Sequence, residues 1–313
     1  MENSLSKREA LLHKFWQRTN NGHSEADVQP TSEEWSQQVL YLSQSGKGIE
    51  EALRYLYSMQ PSYETFMEWL QPVNIPAETG SQVYTGNVLT VEDRDFWDRN
   101  GYVVVKNAVS AEDCAAARAA IWEYLGADPA IPESWYELHE GKNGMMLSFF
   151  QHPALNSNRH APKIRKAYEE LYDGKNIYML MDKVSFNPPE TASYNFIGSR
   201  LHWDVSLQLP IPFILQGLLY LNDVGAADGA FHCVPGFHKQ IGTWLNSLPQ
   251  DADPRRAALT ELTPVPVPGN TGDLVIWHQA LPHCATPNKG SVARMVQYIT
   301  YKPVDTPDNP VWI

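Results

Sequence analysis

Beyond Gly174 the chain breaks into short apolar runs: IYMLMDKVSFN, LHWDVSLQL, FILQGLLYLND, AFHCVPG, TGDLVIWHQ and VARMVQYITYK. Pro and Gly punctuate them, and no amphipathic helical stretch of crossover length separates most neighbours. Parallel strands need such crossovers, so strands joined without them must pair antiparallel and close into a sandwich or barrel. Residues 239–268 are the exception and read as a long loop or helical excursion. The expected class is mainly β with flanking helices.

The helices come first. Residues 1 to about 80 read as helical, with a capping box at Thr31 and Glu34 ahead of Trp35, Val39 and Leu42. A Gly46-Lys47-Gly48 break precedes a helix carrying Ile49, Leu53 and Leu56 as far as Pro61. SYETFMEWL reads as a third short helix stopped by Pro72. These amphipathic helices hold no catalytic-looking residue and read as a packing layer or an interaction module, including a contact between copies. From about residue 90 the pattern is helix, a turn at Asn100-Gly101, the strand YVVV, and a helix capped by Ser110 with Asp113. APKIRKAYEELYD reads as a further helix. The expected division is a helical extension over 1–85, packed on a core over 86–313.

With 313 residues, 43% of them apolar, the chain has ample material for a core. A net charge of -12 without any Lys/Arg cluster argues against a nucleic-acid or anionic-membrane surface, because phosphate binding needs grouped cations. The N-terminus lacks the apolar centre of a secretory signal, and no run approaches membrane-spanning length. Cys114, Cys233 and Cys284 share no CxxC spacing and read as buried free thiols. A soluble cytoplasmic protein is expected.

In RLHWDVSLQLP, read as a strand, Val205, Leu207 and Leu209 alternate with Ser206 and Gln208, and His202 and Asp204 sit two residues apart. On a strand, residues i and i+2 project from one face. Alone, His-x-Asp is either a hydrogen-bonded pair at a strand end or two metal ligands; His23-Ser24-Glu25 is a similar spacing without a strand pattern. A second half raises the metal reading. After the strand Leu274–Trp277 come His278 and His283, and eleven residues after His283, Arg294 opens another strand. Two neutral histidines and a carboxylate cover one face of an octahedral ferrous ion and leave three positions open. A nearby Arg can then pair bidentately with the far carboxylate of a dicarboxylate co-substrate that chelates the metal.

At this point the chain resembles the phytanoyl-CoA dioxygenase family of Fe(II)/2-oxoglutarate oxygenases. The resemblance runs from about residue 90 to 302, through FWDRNGYVVVKNAVSAEDCAAARAAI, NIYMLMDKVSFNPP, LHWD, NDVGAADGAFHCVPGFHK and GDLVIWHQALPHCATPNKGSVAR. It implies a double-stranded β-helix, the cupin-like jelly roll, with helices outside. It implies His202, Asp204 and His283 as iron ligands and Arg294 as the anchor of 2-oxoglutarate. His278 is expected to be supporting or structural, with replacement of His283 as the alternative. His232 and His238 are expected in core or surface roles.

Lys183 stands where relatives line the 2-oxoglutarate site, and reads either as a second contact to it or as a solvated strand lysine. Leu218, with Tyr220 two residues on, stands where some relatives place a Trp. Phe237 replaces the Ser of the family's Gly-Ser-His turn, which suggests an apolar group near the pocket rim. The implied reaction consumes O2 and 2-oxoglutarate, releases succinate and CO2, and hydroxylates a C–H bond. Asp204 fills the position that halogenating relatives leave to chloride, which favours hydroxylation; desaturation, cyclisation and epimerisation would use the same ligands.

Phe186, Asn187, Tyr194, Asn195, Arg200, Phe231 and Trp277 flank the metal-bearing strands and are candidates to line a substrate pocket, with about half expected to do so. That mixed set suits a small or medium-sized organic molecule with a polar group. Trp203, between the two ligands, is expected in packing. A non-catalytic metal-binding jelly roll is the rival from the binding class, disfavoured by the intact ligand set and Arg294. A cupin-like isomerase or zinc hydrolase would not need an Arg placed for a five-carbon diacid.

Overall fold

The computed structural model describes residues 6–20, 29–71, 84–196 and 198–306. The helical N-terminal part contains α1 (Lys7–Asn20), α2 (Ser32–Gln44), α3 (Ile49–Met59) and α4 (Tyr63–Trp69). Thr31 caps α2 in a full capping box, with its hydroxyl accepting from the Glu34 N–H, a device worth about 1 kcal/mol. α1, not singled out above, buries Leu11, Leu12, Phe15 and Thr19. Leu12, Phe15, Leu42, Ala52, Leu56, Phe66 and Leu70 form a small core among these helices. Pro72 and the His23-Ser24-Glu25 triplet lie outside the described residues.

Next come α5 (Val91–Asn100), β1 (Tyr102–Val105), α6 (Ala111–Leu125), the short strands β2 (Lys142–Asn143) and β3 (Met146–Leu147), α7 (Pro153–Arg159) and α8 (Pro162–Leu171). Gly101 ends α5 with φ +74, a conformation the absent Cβ makes accessible, and its N–H bonds to the Trp97 carbonyl at 2.7 Å. Ser110 caps α6 through the Asp113 N–H. The remaining elements are β4 (Ile177–Leu180), β5 (Val184–Asn187), β6 (Leu215–Tyr220), β7 (Phe231–Cys233), α9 (Ile241–Ser247), α10 (Pro254–Glu261), β8 (Val265–Val267), β9 (Leu274–His278), β10 (His283–Ala285), β11 (Arg294–Tyr298) and β12 (Thr300–Pro303).

The described strands pair antiparallel in three sheets. The large one has the order β1-β9-β6-β11-β5-β3-β2, a smaller one β10-β7-β8, and a third pairs β12 with β4. The sheets are antiparallel as expected, but more of the described residues lie in helices than in strands, so "mainly β" gives way to a mixed helix-and-sheet fold. Two runs that read as single strands each split between sheets: IYMLMDKVSFN becomes β4 and β5, and VARMVQYITYK becomes β11 and β12. The excursion 239–268 is largely helical, as α9 and α10, and ends in β8.

The large sheet separates two cores by the two-residue period of its strands. Val103, Val105, Leu219, Leu274, Ile276 and Met295 face the core built with α6, α7 and α8. Val104, Leu218, Tyr220, Val275, Trp277 and Val296 face the second core, shared with the small sheet and the 201–207 segment. At Gly217 the outward face of β6 is crossed closely: the Tyr168 hydroxyl donates to the Ile299 carbonyl at 2.7 Å over the space a side chain would occupy. All but glycine would collide there.

The 200–210 stretch is not a strand. It makes one isolated antiparallel bridge, His202 to His283, and beyond it Ser206 is buried while Leu209 is exposed, which breaks the expected alternation. Pro210 and Pro212 lack the N–H groups a continued ladder needs. The guanidinium of Arg255 on α10 takes over two carbonyls, those of Trp203 at 2.8 Å and Val205 at 2.7 Å.

Candidate metal centre

His202 and His283 meet because their backbones exchange two hydrogen bonds, N–H of 202 to O of 283 at 3.0 Å and the reverse at 2.9 Å. Opposed residues in such a pair share a face. Asp204, two residues on, lies beside them. His202 Nε2 is 3.3 Å from Asp204 Oδ1, and His283 Nε2 is 3.2 Å from Oδ2. One donor atom from each of the three lies within 4.8 Å of the other two, which is the spacing of ligands around a single cation. Among the described residues, this is the one such group of His, Cys, Asp and Glu found.

Both imidazoles are oriented by the protein. His202 Nδ1 lies 2.7 Å from the Arg200 carbonyl, and His283 Nδ1 lies 3.3 Å from that of Leu281. A carbonyl can only accept, so each Nδ1 carries the proton and each Nε2 is left to serve as a ligand. Two such lone pairs facing one carboxylate repel unless a cation or a proton lies between them. Burial alone would raise the Asp204 carboxyl, but hydrogen bonds from His202 and His283 outweigh it and hold it well below the usual carboxylate range. Burial likewise works to lower His202, and the Asp204 hydrogen bond and charge raise it above its ordinary value. A bound divalent cation satisfies the same electrostatic demand, so the donor set fits a metal.

Arg294 supplies the matching observation for an anion. It is 1% exposed; Nη1 reaches Ser185 Oγ at 3.4 Å, and Nε has no hydrogen-bond partner. Among the described residues no carboxylate stands within ion-pair distance of it. A buried cation without a counter-charge is costly, and it sits where strand alternation groups Arg294, Val296 and Tyr298 on the inner face of β11. The Tyr220 ring lies 6.0 Å from the guanidinium. Burial pushes the Tyr220 phenol up to about 12 and raises that of Tyr298. The region is therefore buried and cationic, with no carboxylate among the described residues to balance Arg294.

The candidate pocket residues divide. Asn187, fully buried, is the register partner of Arg294 and leaves its Oδ1 unpaired. Phe231 and Trp277 pack on the His283 ring at centroid distances of 5.7 and 5.2 Å. Leu218 faces the same inner core. Phe186 does not: it pairs with Met295 and points to the opposite face of β5, edge-on to Trp122 at 5.1 Å. Tyr194 packs on Tyr136 at 5.1 Å in the 188–196 segment, and Asn195 is exposed there. Arg200 is exposed and serves through its carbonyl. The Lys183 ammonium turns to Glu50 of α3 at 2.5 Å.

His278 is held away from the ligand set, with its Nδ1 accepting from the Ala280 N–H at 2.9 Å; burial lowers it to about 4, so it is neutral at pH 7. His232 Nδ1 bonds to the Ala230 carbonyl at 2.9 Å, and His238 packs 5.6 Å from His278. Trp203 is buried as expected, donating to the Ala280 carbonyl at 2.9 Å. Phe237 is not at a rim: it is 4% exposed, between Trp203 and Trp244. Two contacts with the site escaped the sequence. Gln216 Nε2 donates to Asp204 Oδ2 at 2.9 Å, and Arg255 grips the carbonyls on either side of Asp204. Gln216 stands two residues before Leu218 on one strand, a phase that could have revealed it; Arg255 left no local signal.

His202 and Asp204 on an irregular segment and His283 on β10 thus group two imidazoles and a carboxylate, the donor set that non-haem iron oxygenases use. The family model for phytanoyl-CoA dioxygenase (PhyH) matches residues 97–296. The putative phytanoyl-CoA dioxygenase of Dictyostelium discoideum is 22% identical over 262 residues, 68% of this chain and 75% of that protein. The peroxisomal phytanoyl-CoA dioxygenase of Rattus norvegicus is 27% identical over 184 residues, 54% of this chain and only 53% of the rat enzyme. Among solved structures, the non-heme alpha-ketoglutarate-dependent carbocyclase SnoK from nogalamycin biosynthesis superposes with a TM-score of 0.52 at 22% identity, covering 71% of this chain and 87% of that one. The chain belongs to the phytanoyl-CoA dioxygenase family, the Fe(II)- and 2-oxoglutarate-dependent dioxygenases. Among its described residues, no helix is long and apolar enough to cross a membrane.

Proposed function

We propose that this chain hydroxylates an unactivated C–H bond of a small or medium-sized organic molecule, releasing succinate and CO2 from 2-oxoglutarate. In this reading His202, Asp204 and His283 hold Fe(II), Arg294 binds the distal carboxylate of 2-oxoglutarate, and the large and small sheets are the two halves of a double-stranded β-helix. The N-terminal helices are then a separate layer packed on that domain. The observation that carries the reading is Arg294, a buried guanidinium with no anionic partner among the described residues, on the inner face of a strand in the same core as the ligand set.

Iron, when bound, supplies the oxidative chemistry of O2 and 2-oxoglutarate that no side chain can perform. The protein's part is placement. Arg200 and Leu281 carbonyls hold the two imidazoles with Nε2 forward, and Arg255 fixes the backbone on both sides of Asp204. Phe231 and Trp277 wall the His283 side and exclude water. Asn187, with a free carbonyl oxygen beside Arg294, is positioned to accept one hydrogen bond from a ligand.

A succinate-release screen across carboxylic acids, CoA thioesters, amino-acid derivatives and terpenoids tests the proposal. Product mass decides the outcome: a gain of one oxygen supports hydroxylation, whereas loss of two hydrogens or an unchanged mass reassigns the chain to desaturation, cyclisation or epimerisation. Absence of any 2-oxoglutarate turnover across the screen, with metal bound, would favour a non-catalytic metal-binding protein.

A further inference from the structure

We infer that Gln216 is a positioning residue of the metal centre: locked by the Trp277 indole, its amide holds one oxygen of Asp204 so that the carboxylate offers the metal the other. The inference rests on the reading of His202, Asp204 and His283 as metal ligands. Gln216 on β6 and Trp277 on β9 are register partners, so their side chains lie side by side on the inner face of the large sheet. Trp277 Nε1–H donates to Gln216 Oε1 at 3.1 Å, and Gln216 Nε2 donates to Asp204 Oδ2 at 2.9 Å.

The chemistry of the three groups leaves one arrangement. An indole N–H can only donate, and an ionised carboxylate can only accept. A side chain between them must present an acceptor to one and a donor to the other, which a primary amide does. The indole therefore fixes which end of the amide faces Asp204. Glu at 216 would set acceptors against Asp204, Leu would satisfy neither neighbour, and Asn is one methylene shorter. With Oδ2 engaged, turning Asp204 to give the metal both oxygens breaks the bond to Gln216. Binding through both oxygens would also consume a metal position that the co-substrates need.

The test is anaerobic Fe(II) binding by the full chain, followed by the visible band that appears on adding 2-oxoglutarate, in Gln216→Leu, Trp277→Phe and the double variant. Gln216→Leu is expected to weaken Fe(II) binding about tenfold or more and to shift or broaden the band, as loss of a partner behind a metal ligand does. Trp277→Phe is expected to have a smaller effect in the same direction. The double variant is expected to be no worse than Gln216→Leu, because Phe keeps an aromatic ring packed against His283 and removes only the indole N–H, which acts through the amide. Wild-type affinity and an unchanged band in Gln216→Leu, or losses that simply add in the double variant, overturn the inference. If Gln216→Leu fails to fold by its circular dichroism, Trp277→Phe decides alone: an unchanged band and affinity in it overturn the inference. A wild-type chain that binds no Fe(II) overturns the metal-site reading itself, a result distinct from all of these.

Discussion

Arg255 reaches from α10 to bond the carbonyls of Trp203 and Val205, the two residues that flank Asp204, at 2.8 and 2.7 Å. The segment carrying two of the proposed ligands has no sheet ladder beyond a single bridge, and this guanidinium stands in for the missing one. Arg255→Ala is therefore expected to cost about 1–3 kcal/mol of stability, the range for one or two charge-assisted bonds to carbonyls. It is expected also to weaken Fe(II) binding severalfold. Chemical denaturation and metal titration of the same variant check both.

Arg294 makes a different prediction, because its charge is buried with no carboxylate in ion-pair distance among the described residues. Arg294→Leu removes an unpaired buried cation, so the melting temperature of the ligand-free chain is expected to stay level or rise. The same change is expected to abolish the stabilisation that 2-oxoglutarate gives in the presence of a divalent metal, and to weaken its binding by about 2–3 kcal/mol. Differential scanning calorimetry with and without 2-oxoglutarate separates the two effects.

Lys183 is committed elsewhere. Its ammonium lies 2.5 Å from Glu50 Oε2, in a pair whose side chains remain 23% and 45% exposed. Partly exposed pairs contribute about 0–1 kcal/mol. Lys183→Met is expected to leave 2-oxoglutarate affinity within about twofold of wild type, measured by calorimetry, and to cost little stability. A tenfold loss of affinity would instead place the ammonium at the co-substrate.

The thiols give a pH dependence. Burial pushes Cys233 up to about 12, and Cys114 and Cys284 to about 11, against an ordinary value of 9.0. These groups stay protonated in the folded chain while the unfolded chain releases its protons from about pH 9. The unfolded state then binds fewer protons, so stability is full below that pH and falls as pH rises from 9 towards 11 and 12. Native protein at pH 8 is expected to resist thiol alkylation, with three equivalents reacting after denaturation; pH-dependent melting checks the fall.

Much of this was legible locally. The Thr31 and Ser110 caps, the Asn100-Gly101 turn and the strands β1, β6, β9 and β11 follow from patterns a few residues long. His202, Asp204 and His283 were named through the family resemblance of two short motifs, and the fold brings their side chains together. What failed depended on partners far away in sequence. Phe186 was placed in the pocket from proximity to a metal-bearing strand, yet register with β11 puts Asn187, and not Phe186, opposite Arg294. The 205–209 alternation looked like a strand but had no neighbour to pair with. Helix content was underestimated because α7, α9 and α10 are only seven, seven and eight residues long, too short to show a clear helical period.

The central claim is that His202, Asp204 and His283 hold one Fe(II) and that 2-oxoglutarate joins it there. Anaerobic titration of the chain with Fe(II) and then 2-oxoglutarate, followed by visible absorption, tests it most directly. The account predicts a weak charge-transfer band at one iron per chain, absent in His202→Ala although that variant keeps the wild-type circular dichroism. A band of undiminished intensity and one-to-one stoichiometry in His202→Ala would contradict it.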